Sequence, residues 1–284
     1  MELSYFPGCT AHSTGLEYTM SMNAVFEALG IKLLEIEDWN CCGAAAAHSL
    51  NRLLGLALPT RNIAKAQERD LPLVTPCAGC FGALKTAQDA LSHDPDKRQE
   101  LEEIVGFKYN GKLEIKALID VVMNQIGLET LKSHVKKPLS ELKVACYYGC
   151  ALVRNPKIKE MGDPENPMFL DDLVSCLGGQ PMEWSWKTDC CGADLALTHG
   201  ETVVKLVDKI IGMAKEAGAN CVVCHCGLCQ INLEMRQSDK GDKLPVFYFT
   251  ELMGLAMDLE GRKKWWKKHM VNPSPLLKSL NLSE

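Results

Sequence analysis

Ten of the fourteen cysteines form a pattern that occurs twice. The first copy runs Cys9, then Cys41-Cys42-Gly43-Ala44, then Cys77 and Cys80 as CxxC. The second runs Cys150, then Cys190-Cys191-Gly192-Ala193, then Cys226 and Cys229. From the cysteine pairs to the CxxC the copies are displaced by 149 residues (41 to 190, 77 to 226). The first cysteines are displaced by 141 (9 to 150), so the second copy has gained eight residues before its pair. Leu3-Ser4-Tyr5-Phe6-Pro7-Gly8 matches Val144-Ala145-Cys146-Tyr147-Tyr148-Gly149, and Asn40 matches Asp189. A whole unit has been duplicated.

Thiolates bind soft metals and do redox chemistry. Structural zinc takes four ligands, and ordinary [2Fe–2S] and [4Fe–4S] clusters take four cysteines. Five per copy exceed both counts. Neighbouring side chains diverge, so the vicinal pair suits two irons of one cluster better than a single metal. The spacing favours a multi-iron site; zinc in one or both halves, and a CxxC dithiol, remain open. Cys221 and Cys224 form a further CxxC, but align with Pro72 and Thr75 and so stand outside the repeat. Cys146 aligns with Tyr5, and Cys176 lies in the inserted stretch; both read as buried and inert.

The elements that must position these thiols read as alternating strands and helices. In the first unit, strands are expected at 3–6, 31–36 and 71–75. Helices are expected at 14–29, at 49–69 with a break at Pro59, and at 81–92. Residues 92–103 are charged and solvated, and 115–117 and 118–126 add a strand and helix. The second unit echoes this with strands at 143–148 and 220–223 and a helix at 199–217, then a strand and helix at 245–250 and 251–259. A linker spans 133–142. This alternation implies parallel sheets, with each cysteine group at strand carboxyl ends, where ligands collect.

The chain is 284 residues long, enough for about two domains. Its 46% apolar and 24% charged residues are those of a globular chain, and a net charge of −5 supplies no general field for nucleic acid or anionic membranes. The first residues show no secretory signal, and no apolar run is long enough to cross a membrane. A cytoplasmic location is expected, where disulfides rarely persist.

The duplicated Cys…Cys-Cys-Gly…Cys-x-x-Cys pattern resembles the CCG cysteine-rich domain family, and over nearly the whole chain, from Met1 to about His269, it is most similar to the B-type subunits of heterodisulfide reductase. The resemblance implies an α/β fold of two duplicated Rossmann-like CCG units, 1–135 and 143–284, with parallel sheets related by a pseudo-two-fold axis and a helical extension at the C-terminus. It implies two noncubane [4Fe–4S] clusters, the first held by Cys9, Cys41, Cys42, Cys77 and Cys80, the second by Cys150, Cys190, Cys191, Cys226 and Cys229. The implied reaction is reductive cleavage of a disulfide lying between the clusters, each giving one electron; in methanogenesis the substrate is the coenzyme M–coenzyme B heterodisulfide. The implied partners are the other two components of such a complex, a small ferredoxin-like C-type subunit and a flavin-bearing A-type subunit. The rivals are an electron-transfer subunit of a lactate, glycolate or succinate oxidising complex, and a zinc-binding scaffold.

No Gly-x-Gly-x-x-Gly follows a strand, so neither NAD nor flavin is expected in this chain. No ferredoxin-type run Cys-x-x-Cys-x-x-Cys-x-x-x-Cys-Pro occurs, so electrons must arrive from a partner. The segment from Arg262 to His269 is a candidate docking element or, alternatively, a basic helix with its Trp residues packed inward. His12, His48 and His225 lie near cysteines in sequence, but none is assigned as proton donor.

Overall fold

The computed structural model describes residues 1–155, 158, 162–238 and 241–283. The first unit contains β1 (Glu2–Tyr5), α1 (Leu16–Ala28), β2 (Lys32–Glu35), α2 (Ala47–Leu50), α3 (Arg52–Gln67), β3 (Leu73–Thr75), α4 (Ala78–His93), α5 (Pro95–Val105) and β4 (Ile115–Ala117). It closes with α6 (Leu118–Asp120), which runs into a π-helical turn over Val121–Ile126, and α7 (Leu128–Ser133). The second contains β5 (Lys143–Cys146), α8 (Phe169–Cys176), β6 (Gln180–Pro181), a 3-10 turn over Ala193–Leu195, α9 (Gly200–Glu216), β7 (Cys221–Cys224), α10 (Gly227–Met235), β8 (Val246–Tyr248) and α11 (Phe249–Ala256). The short helices α12 (Arg262–Trp266) and α13 (Ser274–Ser279) extend it.

Each unit builds a four-stranded sheet, ordered β2-β1-β3-β4 and β6-β5-β7-β8, with every pairing parallel. The identical order is the fold-level record of the duplication. Strands of such sheets are buried on both faces, and Leu73, Val74, Val222 and Val223 are fully enclosed. The same burial accounts for Cys221 and Cys224: both are core residues of β7, and burial raises both thiols, holding them protonated.

The helices follow their apolar periodicity. Tyr18, Met22, Val25 and Phe26 bury one face of α1, and Val203, Val207, Ile210 and Ile211 one face of α9. The expected break at Pro59 is not there. It falls at Asn51, whose side chain caps α3 by accepting from the backbone N–H of Leu53 (2.8 Å) and Leu54 (3.1 Å). Pro59 lies inside α3, with Gly55 at the position whose carbonyl the proline ring crowds. The charged stretch forms α5, started by Asp94 and Pro95 and ended by Gly106 in the left-handed region. Helices α8 and α10, unassigned from the sequence, occupy the places of α1 and α4 in the second unit.

The units exchange helices across their boundary. Helix α1 packs on α11 and α12, and α8 on α7, as a pseudo-two-fold axis requires. Tyr18 stacks on Tyr248 with ring centroids 4.0 Å apart, and the Ser21 and Thr250 hydroxyls are 2.7 Å apart. Tyr18 also directs its hydroxyl at the carbonyls of Pro76 (3.2 Å) and His225 (3.1 Å), the residues before Cys77 and Cys226. One phenol thus ties the two CxxC segments together.

The segment from Arg262 to His269 turns its aromatic side inward. Trp265 and Trp266 are buried, and Trp265 lies so close to Gly254 that a Cβ there would stand 2.6 Å from its ring. Buried His269 bridges Glu234 (2.7 Å) and Glu251 (2.8 Å). Only the four lysines of the segment face solvent, so it is no aromatic docking patch.

Candidate functional site

In both units a glycine in the left-handed region ends the first strand segment: Gly8 (φ 72°) and Gly149 (φ 63°). Their missing side chains make room for sulfur. A Cβ on Gly8 would lie 2.9 Å from Cys80 Sγ, and one on Gly149 3.2 Å from Cys229 Sγ. Gly43 (φ 74°) and Gly192 (φ 75°) turn the chain just after each cysteine pair, a conformation glycine adopts without penalty. Cys77 and Cys226 occupy the N-cap positions of α4 and α10, and Cys80 and Cys229 lie in the first turns. The helix dipole there favours thiolate, but only Cys226 falls below an ordinary thiol; hydrogen bonds donated to Cys226, Cys42 and Cys191, with burial, hold Cys77, Cys80 and Cys229 well above it.

The two sets of repeat cysteines come into contact where the units meet, through Cys77 and Cys226, and none of the fourteen cysteines is in a disulfide. Sγ atoms approach at 3.3 Å for Cys42 and Cys80, 3.8 Å for Cys191 and Cys229, and 3.9 Å for Cys77 and Cys226. The last contact joins the two copies at equivalent positions. Cys41 and Cys42 interact as thiol donor and acceptor, as do Cys150 and Cys190. Cys9 lies within electrostatic reach of Cys41; both are exposed.

Proton sharing divides these sulfurs into donors and acceptors. Cys42 accepts from Cys41 and Cys80 and is pulled down to about 4. Cys190, accepting from Cys150, is lowered to about 6 despite burial, helped by the Gly192 N–H. Cys191 is lowered by Cys229, and Cys226 lies well below an ordinary thiol because Cys229 and Cys77 both donate to it. Among the described residues no three Cys, His, Asp or Glu side chains close on a single ion. The sulfurs run instead as a chain of neighbours, Cys42 to Cys80, Cys80 to Cys77, Cys77 to Cys226, Cys226 to Cys229 and Cys229 to Cys191.

A cavity of about 480 Å³ lies at this boundary. Cys150, Cys190, Cys191, Cys226 and Cys229 all line it, facing a wall of α4. Its polar side chains include His48, Arg154, Asn155 and Asp194. The Arg154 guanidinium donates to Thr188 Oγ1 (2.9 Å) and is 3.6 Å from Glu165. Burial raises the Asp194 carboxyl, and His48 across the boundary opposes the rise.

Of the three histidines, His48 alone reaches the cavity. His225 is buried and held neutral by that burial, its Nε2 2.9 Å from the Tyr148 carbonyl. His12 lies on the surface, stacked on Trp39 and 3.2 Å from Glu35. Cys146 is buried near the Lys187–Asp171 ion pair (2.9 Å), and half-buried Cys176 bonds to the Leu128 carbonyl (3.2 Å). Sequence reasoning missed Arg154 and Asp194. The available signal was a break in the repeat: their aligned positions carry Ser13 and Ala45.

The cysteine-rich domain model called CCG matches residues 3–85 and 144–234. The 8-methylmenaquinol:fumarate reductase membrane anchor subunit of Wolinella succinogenes is 32% identical, covering 97% of this chain and 99% of that protein. The B subunit of the ferredoxin:CoB-CoM heterodisulfide reductase of Methanosarcina mazei is 31% identical, covering 90% of this chain and 89% of that one. A crystal structure of a hypothetical protein from Helicobacter pylori superposes with a TM-score of 0.75 at 13% identity, covering 95% of this chain and 52% of that one, a likeness of fold alone. Among the described residues no helix is long and apolar enough to cross a membrane.

Proposed function

Because the chain belongs to the CCG cysteine-rich domain family, we propose that it is an oxidoreductase subunit of the heterodisulfide reductase B type, cleaving a disulfide with electrons from partner subunits. The reaction is RSSR′ + 2 e⁻ + 2 H⁺ → RSH + R′SH. The observation that carries this reading is the contact of two five-cysteine sets at Cys77 and Cys226, next to a cavity lined by the second set.

The donor chemistry fits iron–sulfur clusters: sulfurs without disulfides, thiolate character favoured at Cys42, Cys190, Cys191 and Cys226, and glycines where a side chain would strike sulfur. In this reading the unit 1–135 holds one noncubane [4Fe–4S] cluster through Cys9, Cys41, Cys42, Cys77 and Cys80. The unit 143–284 holds a second through Cys150, Cys190, Cys191, Cys226 and Cys229. When bound, the clusters supply electrons singly, one from each set. The protein's part is to hold the sets together through Tyr18 and the Cys77–Cys226 contact, and to enclose the substrate beside Arg154 and His48. A ferredoxin-like partner and a flavin-bearing partner supply the electrons, in the cytoplasm, where unpaired cysteines persist.

The test is to purify the complex without oxygen, count iron, sulfide and zinc, and record paramagnetic resonance with and without thiol. About eight irons per chain and a thiol-induced signal are expected. Stoichiometric zinc without iron refutes the reading. The similarity to a fumarate reductase subunit favours a second reading, an electron-transfer subunit of a succinate- or fumarate-type complex. In that case the iron is present and thiol leaves the signal unchanged.

A further inference from the structure

We infer that the Tyr5 phenol donates a hydrogen bond to a sulfur of the group held by the first cysteine set, and so sets the reduction potential of that group apart from that of its counterpart in the second set. The inference rests on the proposed iron–sulfur reading and goes beyond it, since it gives a part to a residue that is not a ligand. Tyr5 is buried, and its hydroxyl has no hydrogen-bond partner among the described residues. A buried hydroxyl left unpaired costs about 1–3 kcal/mol, and an orphan of this kind calls for an acceptor.

Its place in the sheet says where that acceptor lies. Tyr5 ends β1, the strand between β2 and β3. Its register partners are Glu35 in β2 and Val74 in β3. Beyond these three residues the chain delivers Cys9, the Cys41–Cys42 pair and Cys77, so Tyr5 stands at the strand ends from which the first set issues. Cys80 joins them at Gly8, three residues after Tyr5, where a Cβ would lie 2.9 Å from Cys80 Sγ. Glu35, which also acts on the phenol, is engaged elsewhere: its carboxylate accepts from Trp39 Nε1 (2.8 Å) and lies 3.2 Å from His12 Nε2. Burial, then Glu35 and Cys80, raise the phenol far above its ordinary value, so it keeps its proton and can donate it.

The second unit has no equivalent donor. Cys146 stands at the aligned position, fully buried beside Asp171 and Lys187, and a thiol donates only weakly. The phenol of that unit is one residue on, at Tyr147, aligned with Phe6. Cys229, Cys191, Cys150 and Cys190 all act on it, yet it gives its proton to the Asp189 carbonyl at 2.6 Å. Hydrogen bonds to cluster sulfurs are one of the protein's levers on potential. A donor favours the reduced, more negative state and raises the potential. Tyr5 therefore makes the first set hold its electron more tightly than the ligands alone would, and biases the order in which the two single electrons leave.

The test compares Tyr5→Phe, which removes the oxygen and keeps the ring, with Tyr147→Phe in the intact complex, purified without oxygen and with iron counted. Potentiometric titration followed by paramagnetic resonance gives the midpoints, with Cys191→Ala identifying the first-set signal. Electron–nuclear double resonance in H2O and D2O reads the exchangeable protons coupled to that signal. Tyr5→Phe is expected to keep its iron, to make reduction of the first set about 10-fold less favourable, or about 59 mV for one electron, and to lose one exchangeable coupling. Tyr147→Phe leaves the first-set midpoint and couplings in place. Should Tyr5→Phe lose iron, 3-fluorotyrosine at position 5 decides: it keeps the shape and is the stronger donor, so the midpoint must rise. With iron retained, an unchanged midpoint and coupling in Tyr5→Phe, or an equal shift in Tyr147→Phe, overturns the part given to Tyr5 and leaves disulfide reduction standing. A parent complex without iron removes both.

Discussion

Glu17 tests how the two units are held together. It lies in the first turn of α1, only 2% exposed. Glu251 of α11, Glu234 of α10 and His269 act on it, and Lys268 lines the same small cavity. Burial lifts its carboxyl from 4.5 to about 7, the two glutamates add to the rise, and its own backbone N–H and His269 oppose it. Between those values the folded chain keeps a proton that the unfolded chain has lost. The resulting stability is fully present below 4.5 and is lost as pH rises through 7. The interval corresponds to about 3 kcal/mol. Glu17→Gln preserves the shape and is neutral at every pH. Parent and variant are therefore expected to melt together near pH 4.5. Above pH 7 the variant should be the more stable by about 3 kcal/mol, or on the order of 5 °C in Tm for a chain of this size. Paired melts of anaerobic protein across this range measure the difference, since effects common to both proteins cancel. Parallel Tm–pH curves would refute the buried, proton-holding carboxyl.

Three further outcomes follow from the same geometry. His269→Leu strips both Glu234 and Glu251 of their shared partner, and should cost about 3–5 kcal/mol, read as a lowered Tm. Gly43→Ala imposes a left-handed conformation on alanine, at about 1–2 kcal/mol, and places a Cβ 2.6 Å from that of Ala47; loss of iron after anaerobic purification is the expected readout, Gly30→Ala, where no atom lies within 4 Å of the added Cβ, serving as control. Arg154→Leu should raise KM for acid-tailed disulfides by about 10-fold and leave neutral disulfides unaffected, as measured by steady-state kinetics with the two substrate types.

The repeat made much of the fold legible. Strands followed by turn glycines at Gly8 and Gly149, and long apolar stripes such as that of α9, carry local signals that survive packing. Shorter elements do not. Helix α8 follows an insertion without a strong start signal, and β6 is two residues long, with Pro181 tolerated on a sheet edge. The break at Asn51 shows a side-chain cap outweighing a proline whose lost hydrogen bond a long helix can absorb. Trp265 and Trp266 could equally have faced a partner; Gly254 and the His269 network turned them inward.

The repeat of five cysteines was readable because the pair and the CxxC recur at one offset of 149 residues and the first cysteine at 141. The sequence by itself thus determined which ten cysteines recur, as two copies of a five-cysteine pattern. Only the tertiary structure decided that the sets touch at Cys77 and Cys226, and that the cavity opens on one of them. Both outcomes depend on volumes and hydrogen bonds between segments far apart in the chain: the glycines and alanines of α4 against the loop after Cys150, and Tyr18 against two carbonyls 149 residues apart.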